Sequence, residues 1–350
     1  MRRWIALGVL VLLAVVAATA LWPRPEGKVP LRVGIAPYQD LAMLVNAQPL
    51  GLEAKYDTQI ELITMGWEDI PPAVASAGRA VDVGFGSYIE YLTKYANLNA
   101  GSNDPVLFIY PLYAFKGGAF VTFNNDVPSL DAAAVNDPAS PAVKAFFGNR
   151  IGAQKASVYD MMLHQLAASH GIPAASLKIF DTPLDQGFLA AQQGSLDIST
   201  AGLTQLTETH RRGGRVVLTM ADMRFADLTG FIVKKSVYEA RKADVENLIR
   251  MWFDSVDYVY RDIDRNSAAS LAYLNKNAST RYTLSEYKAA LSQEYLPRNS
   301  AEARAAFILA GGQFPTSAIG ASVNRYLLER GIIKSATPLP QFPVISPSGH

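Results

Sequence analysis

The sequence predicts a two-lobed α/β protein, each lobe a mostly parallel sheet flanked by helices, with a C-terminal helical extension. Three observations carry this prediction. Hydrophobic residues make up 49% of the 350 and charged residues only 18%, which suits large cores and does not suit a disordered chain. Short β-forming runs alternate with helical stretches, the pattern of crossover units in parallel sheets. The alternation also occurs twice at matched spacing: Arg32 to Asp82 spans 50 residues and Arg150 to Asp197 spans 47.

The chain opens with Arg2 and Arg3, followed by an apolar run from Trp4 to Trp22 that contains the small-x-small site Ala18-Thr19-Ala20. Charge, apolar run and small residues in that order read as a secretory signal. The run is also close to the roughly 20 residues that span a bilayer, with tryptophans at both ends, so an uncleaved membrane anchor is the alternative. Either way the remainder is expected outside the cytoplasm: in the periplasm, free or tethered to the inner membrane. Residues 1–22 are the signal or anchor, and 23–30, with three prolines and a glycine, a linker.

The first copy begins with a strand, Leu31 to Ala36. The loop Pro37-Tyr38-Gln39-Asp40 leads to a helix ending near Gly51. A strand over Gln59–Thr64 and the loop Met65 to Asp69 precede a short Ala-rich helix, Pro71 to Ala77, ended by Gly78. A third strand, Ala80 to Gly84, leads to a helix over Tyr88–Ala96.

The second copy has strands over Arg150–Ala153, Leu177–Phe180 and Ser195–Thr200. Its helices are Val158–Ser169, an Ala-rich one to Gln193, and Gly202–Thr209. Between the copies, the β-forming stretch Val106 to Phe123 reads as the first crossing between lobes, and Leu228 to Val233 as the return. Lobe 1 is therefore expected at 31–118 and 232–335, and lobe 2 at 119–231. Beyond the return, Val245, Leu248, Ile249, Trp252, Phe253, Val256 and Tyr260 recur at helical spacing. Four more helices follow (Ala268–Asn275, Leu284–Glu294, Ala301–Ala310, Thr316–Glu329), then a proline-rich tail over 336–350. The helical extension is expected to pack on lobe 1.

Open parallel sheets bind ligands beyond the carboxyl ends of their strands, where helix N-termini converge. That rule selects Tyr38, Gln39, Asp40, Trp67, Glu68, Ser87 and Tyr88 from the first copy. From the second it selects Ser157, Tyr159, Asp181, Thr182 and Thr200. Asp40, Ser87, Ser157 and Thr182 are also ordinary helix caps, each worth about 1 kcal/mol as structure alone. The aromatics are less easily explained as caps, and Tyr113 and Phe225 near the crossings are secondary candidates. Acidic residues dominate these loops, and Lys155 and Arg224 are the nearby cations. An acidic, aromatic cleft suits a nitrogen-bearing or aromatic ligand better than sulfonate or nitrate.

Other chemistries find no support. The chain has no cysteine, which excludes disulfides, thiolate metal sites, a cysteine nucleophile and lipid attachment at an N-terminal cysteine. Its four histidines, His164, His170, His210 and His350, form no metal-ligand pattern, and no cofactor is expected. A net charge of +1 offers no field for nucleic acid. No base–nucleophile pair marks an enzyme.

The segments Leu31-Arg-Val-Gly-Ile-Ala-Pro-Tyr38 and Ala75-Ser-Ala-Gly78-Arg-Ala-Val-Asp82-Val-Gly84 resemble a known family, as do Arg150-Ile-Gly-Ala and Ala190-Ala-Gln-Gln-Gly194-Ser-Leu-Asp197. The family is the periplasmic solute-binding proteins of the nitrate/sulfonate/taurine and thiamine-pyrimidine precursor group. The resemblance runs from about Leu31 to about Gly331. It implies a type II periplasmic binding fold, hinge closure on a small molecule, and delivery to an ABC permease and ATPase. The chain is separately expected to act as a monomer. The acidic loops and Trp67-Glu68 depart from relatives that have small residues there. A related branch makes a pyrimidine enzymatically with a cysteine-rich motif, which this chain lacks. The remaining alternatives are a membrane-anchored ligand sensor and an enzyme on the same fold.

Overall fold

The computed structural model describes residues 28–346, apart from 77–79, 100 and 279–280. The N-terminal apolar run, the expected helix end at Ala77 and Gly78, and His350 lie outside the described residues. The chain divides into two units, Met1–Pro30 and Leu31–His350, and the second holds every strand and helix described.

The strands in chain order are β1 (Leu31–Ile35), β2 (Ile60–Thr64), β3 (Val83–Ser87), β4 (Val106–Phe115), β5 (Ala119–Thr122), β6 (Ile151–Gly152), β7 (Ile179–Phe180), β8 (Ile198–Ala201), β9 (Arg215–Thr219) and β10 (Asp227–Lys234). They form two five-stranded sheets with the orders β2-β1-β3-β10-β4 and β7-β6-β8-β5-β9. The two sheets are the cores of two lobes. Each sheet has four strands in one direction and one reversed, because β10 is antiparallel to β3 and β4, and β5 to β8 and β9. The reversal follows from the connectivity. Forward strands end at the cleft, so a strand that has just crossed from the other lobe must run away from it.

The crossings are thus the short links 116–118 and 220–226. Leu228 to Val233, expected to be a crossing, lie inside β10. β9 and the helices Ala132–Asn136, Pro141–Phe147 and Lys235–Ala240 are additions to the sequence-based reading. The first expected helix forms instead as a 3-10 helix, Leu41–Ala47, and a short α-helix, Leu52–Lys55, separated by Gly51 at φ 68°. The third strand lies three residues later than expected, because the buried Val-Gly-Phe-Gly-Ser run carries the ladder. A Cβ on Gly84 would lie 2.3 Å from Ile70 Cγ2, so the glycine lets the helix Ile70–Ala75 sit on the sheet.

The matched spacing has a structural cause. In the first lobe the backbone N, Nε and Nη2 of Arg32 donate to Asp82 at 2.9, 3.1 and 2.9 Å. In the second the same three atoms of Arg150 donate to Asp197, each at 2.9 Å. Each pair joins the start of the lobe's first strand to the residues just before its third. Burial alone would raise the Asp82 carboxyl, but the Arg32 contacts outweigh it and hold it below its usual range. Asp82→Ala is expected to lower stability by about 2 kcal/mol, the scale of a lost charge-assisted hydrogen bond. Asp197→Ala should cost less, because its side chain is 17% exposed against 10% for Asp82. Urea midpoints measure both, and an equal or reversed order would refute the ranking.

The helix Lys242–Arg261 buries Val245, Leu248, Ile249, Trp252, Phe253 and Val256. It packs on the 3-10 helix Leu41–Ala47 and on β4, with Trp252 stacked on Tyr113 at 5.8 Å. The helix Thr316–Glu329 touches Tyr88–Leu98 in the first lobe and Val158–Ser169 in the second. The tail beyond it is held by Asn324, which exchanges two hydrogen bonds with Thr337, and by Ser300 Oγ donating to Ile345 O.

Candidate functional site

Both lobes direct the carboxyl ends of their forward strands at one cleft, and the residues at those ends enclose a cavity. About 90 Å³ of it is open to the centre of a water molecule, room for a small guest. Tyr38, Gln39 and Asp40 enter from the loop after β1, and Trp67 and Glu68 from the loop after β2. Ser87 ends β3, with Glu90 one turn along the next helix. Gln154 and Ser157 come from the loop after β6, Val158 and Tyr159 from the first turn of the helix Val158–Ser169, and Leu184 from beyond β7. Thr200 to Gln205 surround the end of β8, except that Ala201 does not line the space. Tyr113 and Phe115 on β4, and Asp227 and Thr229 on β10, form the floor near the crossings.

Three expected residues lie elsewhere. Tyr88 is 0% exposed and packs edge-on against Phe108 at 5.1 Å, inside the first lobe. Asp181 accepts the backbone N–H of Lys155 at 2.9 Å, away from the cavity. Thr182 sits against Gly152 and Gly187, where its Oγ1 fills the space a Cβ on either would need. Both follow β7, a two-residue edge strand too short to carry them to the centre. Phe225, Lys155 and Arg224 are also absent from the lining.

The lining has an unusual charge balance. Asp40, Glu68, Glu90 and Asp227 contribute four carboxylates, and no Lys, Arg or His is among the described residues that line the space. Lys94 lies behind Glu90, with its Nζ 3.7 Å from a carboxylate oxygen. Burial raises the Asp40 carboxyl, opposed by hydrogen bonds from Tyr113 Oη at 2.5 Å and Leu41 N at 2.9 Å. Burial also raises Glu68, and the charges of Glu90 and Asp185 add to the effect. Asp227 is pushed up to about 7 by burial, against the donors Ser87 Oγ and the amides of Ile89 and Leu228.

Five aromatic side chains share the space: Tyr38, Trp67, Tyr113, Phe115 and Tyr159. Tyr38 and Trp67 face each other with ring centroids 6.1 Å apart. Tyr159 Oη donates to Ala201 O at 2.8 Å, which fixes its ring as a wall. Ser157 caps its helix, accepting from Asp160 N at 3.3 Å and donating to Gln154 O at 2.7 Å.

The lobes are closed on each other. Thr204 Oγ1 donates to Gln39 Oε1 at 3.1 Å, and Thr93 Oγ1 to Ala156 O at 2.7 Å. Arg211 reaches from the second lobe to Glu286 at 2.7 Å and to Arg281 O at 2.8 Å. Tyr326 Oη donates to Asp160 at 3.2 Å. At the first crossing the Glu294 carboxylate accepts the amides of Lys116 and Gly117 at 2.9 and 3.0 Å.

The sequence model of the NMT1-like family matches residues 24–273. No curated protein sequence is significantly similar to the chain. Among solved structures, the alkanesulfonate-binding protein SsuA from Xanthomonas axonopodis pv. citri, bound to MOPS, superposes with a TM-score of 0.64 at 16% identity. That match covers 90% of this chain and 98% of the other. The periplasmic aliphatic sulphonate binding protein SsuA from Escherichia coli gives 0.63 at 13% identity, over 88% and 94%. The periplasmic nitrate-binding protein NrtA from Synechocystis PCC 6803 gives 0.59 at 14%, over 88% and 83%. At these identities the likeness establishes the two-lobed type II periplasmic binding fold.

Proposed function

The chain belongs to the NMT1-like family, and we propose that it is the extracytoplasmic solute-binding component of an ABC-type importer whose ligand is a small cationic or nitrogen-bearing organic compound. The observation that carries the reading is the lining of the cleft: four carboxylates and five aromatic rings with no basic side chain among the described residues. A sulfonate or nitrate would meet carboxyl groups there and no basic side chain among the described residues of the lining. A protonated amine would find carboxylates for its charge and ring faces for its surface.

The mechanism is capture by closure. A ligand touching both lobes binds only the closed form, and so draws the population to it. A membrane permease with its ATPase would then recognise the closed shape in the periplasm. Tyr38, Gln39, Asp40, Trp67, Glu68 and Ser87 act from one lobe, and Ser157, Tyr159 and Thr200 from the other. No step of catalysis is assigned.

A thermal-shift series tests the reading, because a ligand that binds only the folded state raises the melting temperature. Primary amines and nitrogen heterocycles are expected to raise it, and ethanesulfonate and nitrate to leave it unchanged. The opposite result would overturn the ligand class. The length of the run Trp4–Trp22 also favours a second reading, a membrane-anchored sensor using the same closure. Mass spectrometry of the exported protein separates the two: a start near Leu21 fits the free binding protein, and an intact Met1 the anchored one.

A further inference from the structure

One polar group in the cleft is left without a partner. Gln39 is 0% exposed, in the loop after β1. Its Oε1 accepts from Thr204 Oγ1, which stands in the first turn of the helix Leu203–Arg211 on the opposite lobe. Its Nε2 has no hydrogen-bond partner among the described residues. The neighbouring Asp40 carboxylate accepts Leu41 N and Tyr113 Oη, and Gln39 Nε2 makes no hydrogen bond to it. A fully buried amide N–H with no acceptor is rare and costly in a folded protein, and here it belongs to a residue lining the cavity.

We infer that the ligand carries, besides its cationic nitrogen, a neutral hydrogen-bond acceptor that receives Gln39 Nε2. A ring nitrogen, ether oxygen or carbonyl oxygen would serve. An anionic acceptor would lie among Asp40, Glu68, Glu90 and Asp227 with no base among the described residues of the lining to offset it. This inference rests on the amine reading above and narrows it to compounds with both features.

Thr204 gives the donor its direction. The amide oxygen is held by a hydroxyl from the other lobe, which leaves the nitrogen for the guest. In the open form that hydroxyl is withdrawn, so the amide turns freely and either end meets water. The acceptor contact therefore forms only on closure and adds to the differential affinity that drives it. Gln39 and Thr204 together are specificity-determining.

Matched pairs of amines test this by titration calorimetry on the full exported chain. Benzylamine is compared with 4-(aminomethyl)pyridine, and pentylamine with 3-methoxypropylamine; in each pair the second member adds only an acceptor. The acceptor-bearing member is expected to bind about fivefold tighter or more, the scale of satisfying one buried donor. Gln39→Leu should bring the ratio within each pair to about one, and Thr204→Val should narrow it by freeing the amide. If Gln39→Leu melts early, Gln39→Met, closer in shape, repeats the measurement. Equal affinities within the pairs for the unaltered protein would overturn the acceptor while leaving the amine reading intact. A preference that survives in Gln39→Leu would overturn the assignment to Gln39. Failure of all four amines to bind would overturn the amine reading itself, and this inference with it.

Discussion

Trp67→Ala is expected to weaken binding of the strongest amine from the thermal-shift series at least tenfold, with little change in the melting temperature of the free protein. Trp67 stands in the 3-10 helix Trp67–Asp69, half-buried, packed against the core and lining the cavity. No strand or helix depends on it for a cap. A cation held over a desolvated indole face gains about 2 kcal/mol. Tenfold corresponds to about 1.4 kcal/mol, so loss of the ring face alone is enough. The Tyr38 ring, 6.1 Å away, also loses its neighbour and its fixed position. Trp67→Phe keeps a ring in place and should recover part of the affinity. Unchanged affinity in Trp67→Ala would remove the residue from the site.

The parts of the fold that could be read from sequence are those with a local cause. The spacings of 50 and 47 residues were visible because each aspartate bonds the arginine that opens its own lobe. The helix Val158–Ser169 begins where Ser157 can cap it, and Thr316–Glu329 begins directly after Pro315. What escaped was set by tertiary context. β9 is a five-residue run directly after Gly213 and Gly214, which read as a turn. The helices over 132–147 have only five and seven residues, too few for an apolar period to stand out, although the second buries Val143, Phe146 and Phe147.

The site divides along the same line. The rule about carboxyl ends of strands located Tyr38, Gln39, Asp40, Trp67, Glu68, Ser87, Ser157, Tyr159 and Thr200 at the cavity. It could not locate Asp227 and Thr229, because β10 enters its sheet from the cleft and presents its amino end there. Knowing that a strand re-enters the first sheet after the return crossing would have identified them. Glu90 sits one turn inside a helix, and Thr204 and Gln205 just past Gly202, beyond the loops that the rule inspects. Tyr88 follows Ser87 directly, but the first helical turn points it inward onto Phe108.

Asp227 is where burial and function pull against each other, and its effect on stability should be large. Its carboxyl is 2% exposed and is pushed up from 3.8 to about 7 by that burial. Between those two values the folded chain keeps a proton that the unfolded chain releases. The contribution of this group is therefore fully present below about pH 4 and is lost as the pH rises through 7, by up to about 4 kcal/mol. Asparagine fits the same contacts: Oδ1 still accepts Ile89 N and Leu228 N, and the new amide nitrogen donates to Ser87 Oγ. Asp227→Asn is thus expected to be more stable than the unaltered protein at pH 8 and nearly equal to it at pH 4.5, as read from urea unfolding at both. Asp40 and Glu294 are raised by burial too, so some pH dependence should remain. An unchanged pH slope, or a variant weaker at pH 8, would show that the buried carboxyl is not what destabilises the empty cleft. A cation placed beside Asp227 would favour its charged form, so a cationic ligand is expected to relieve part of that strain on binding.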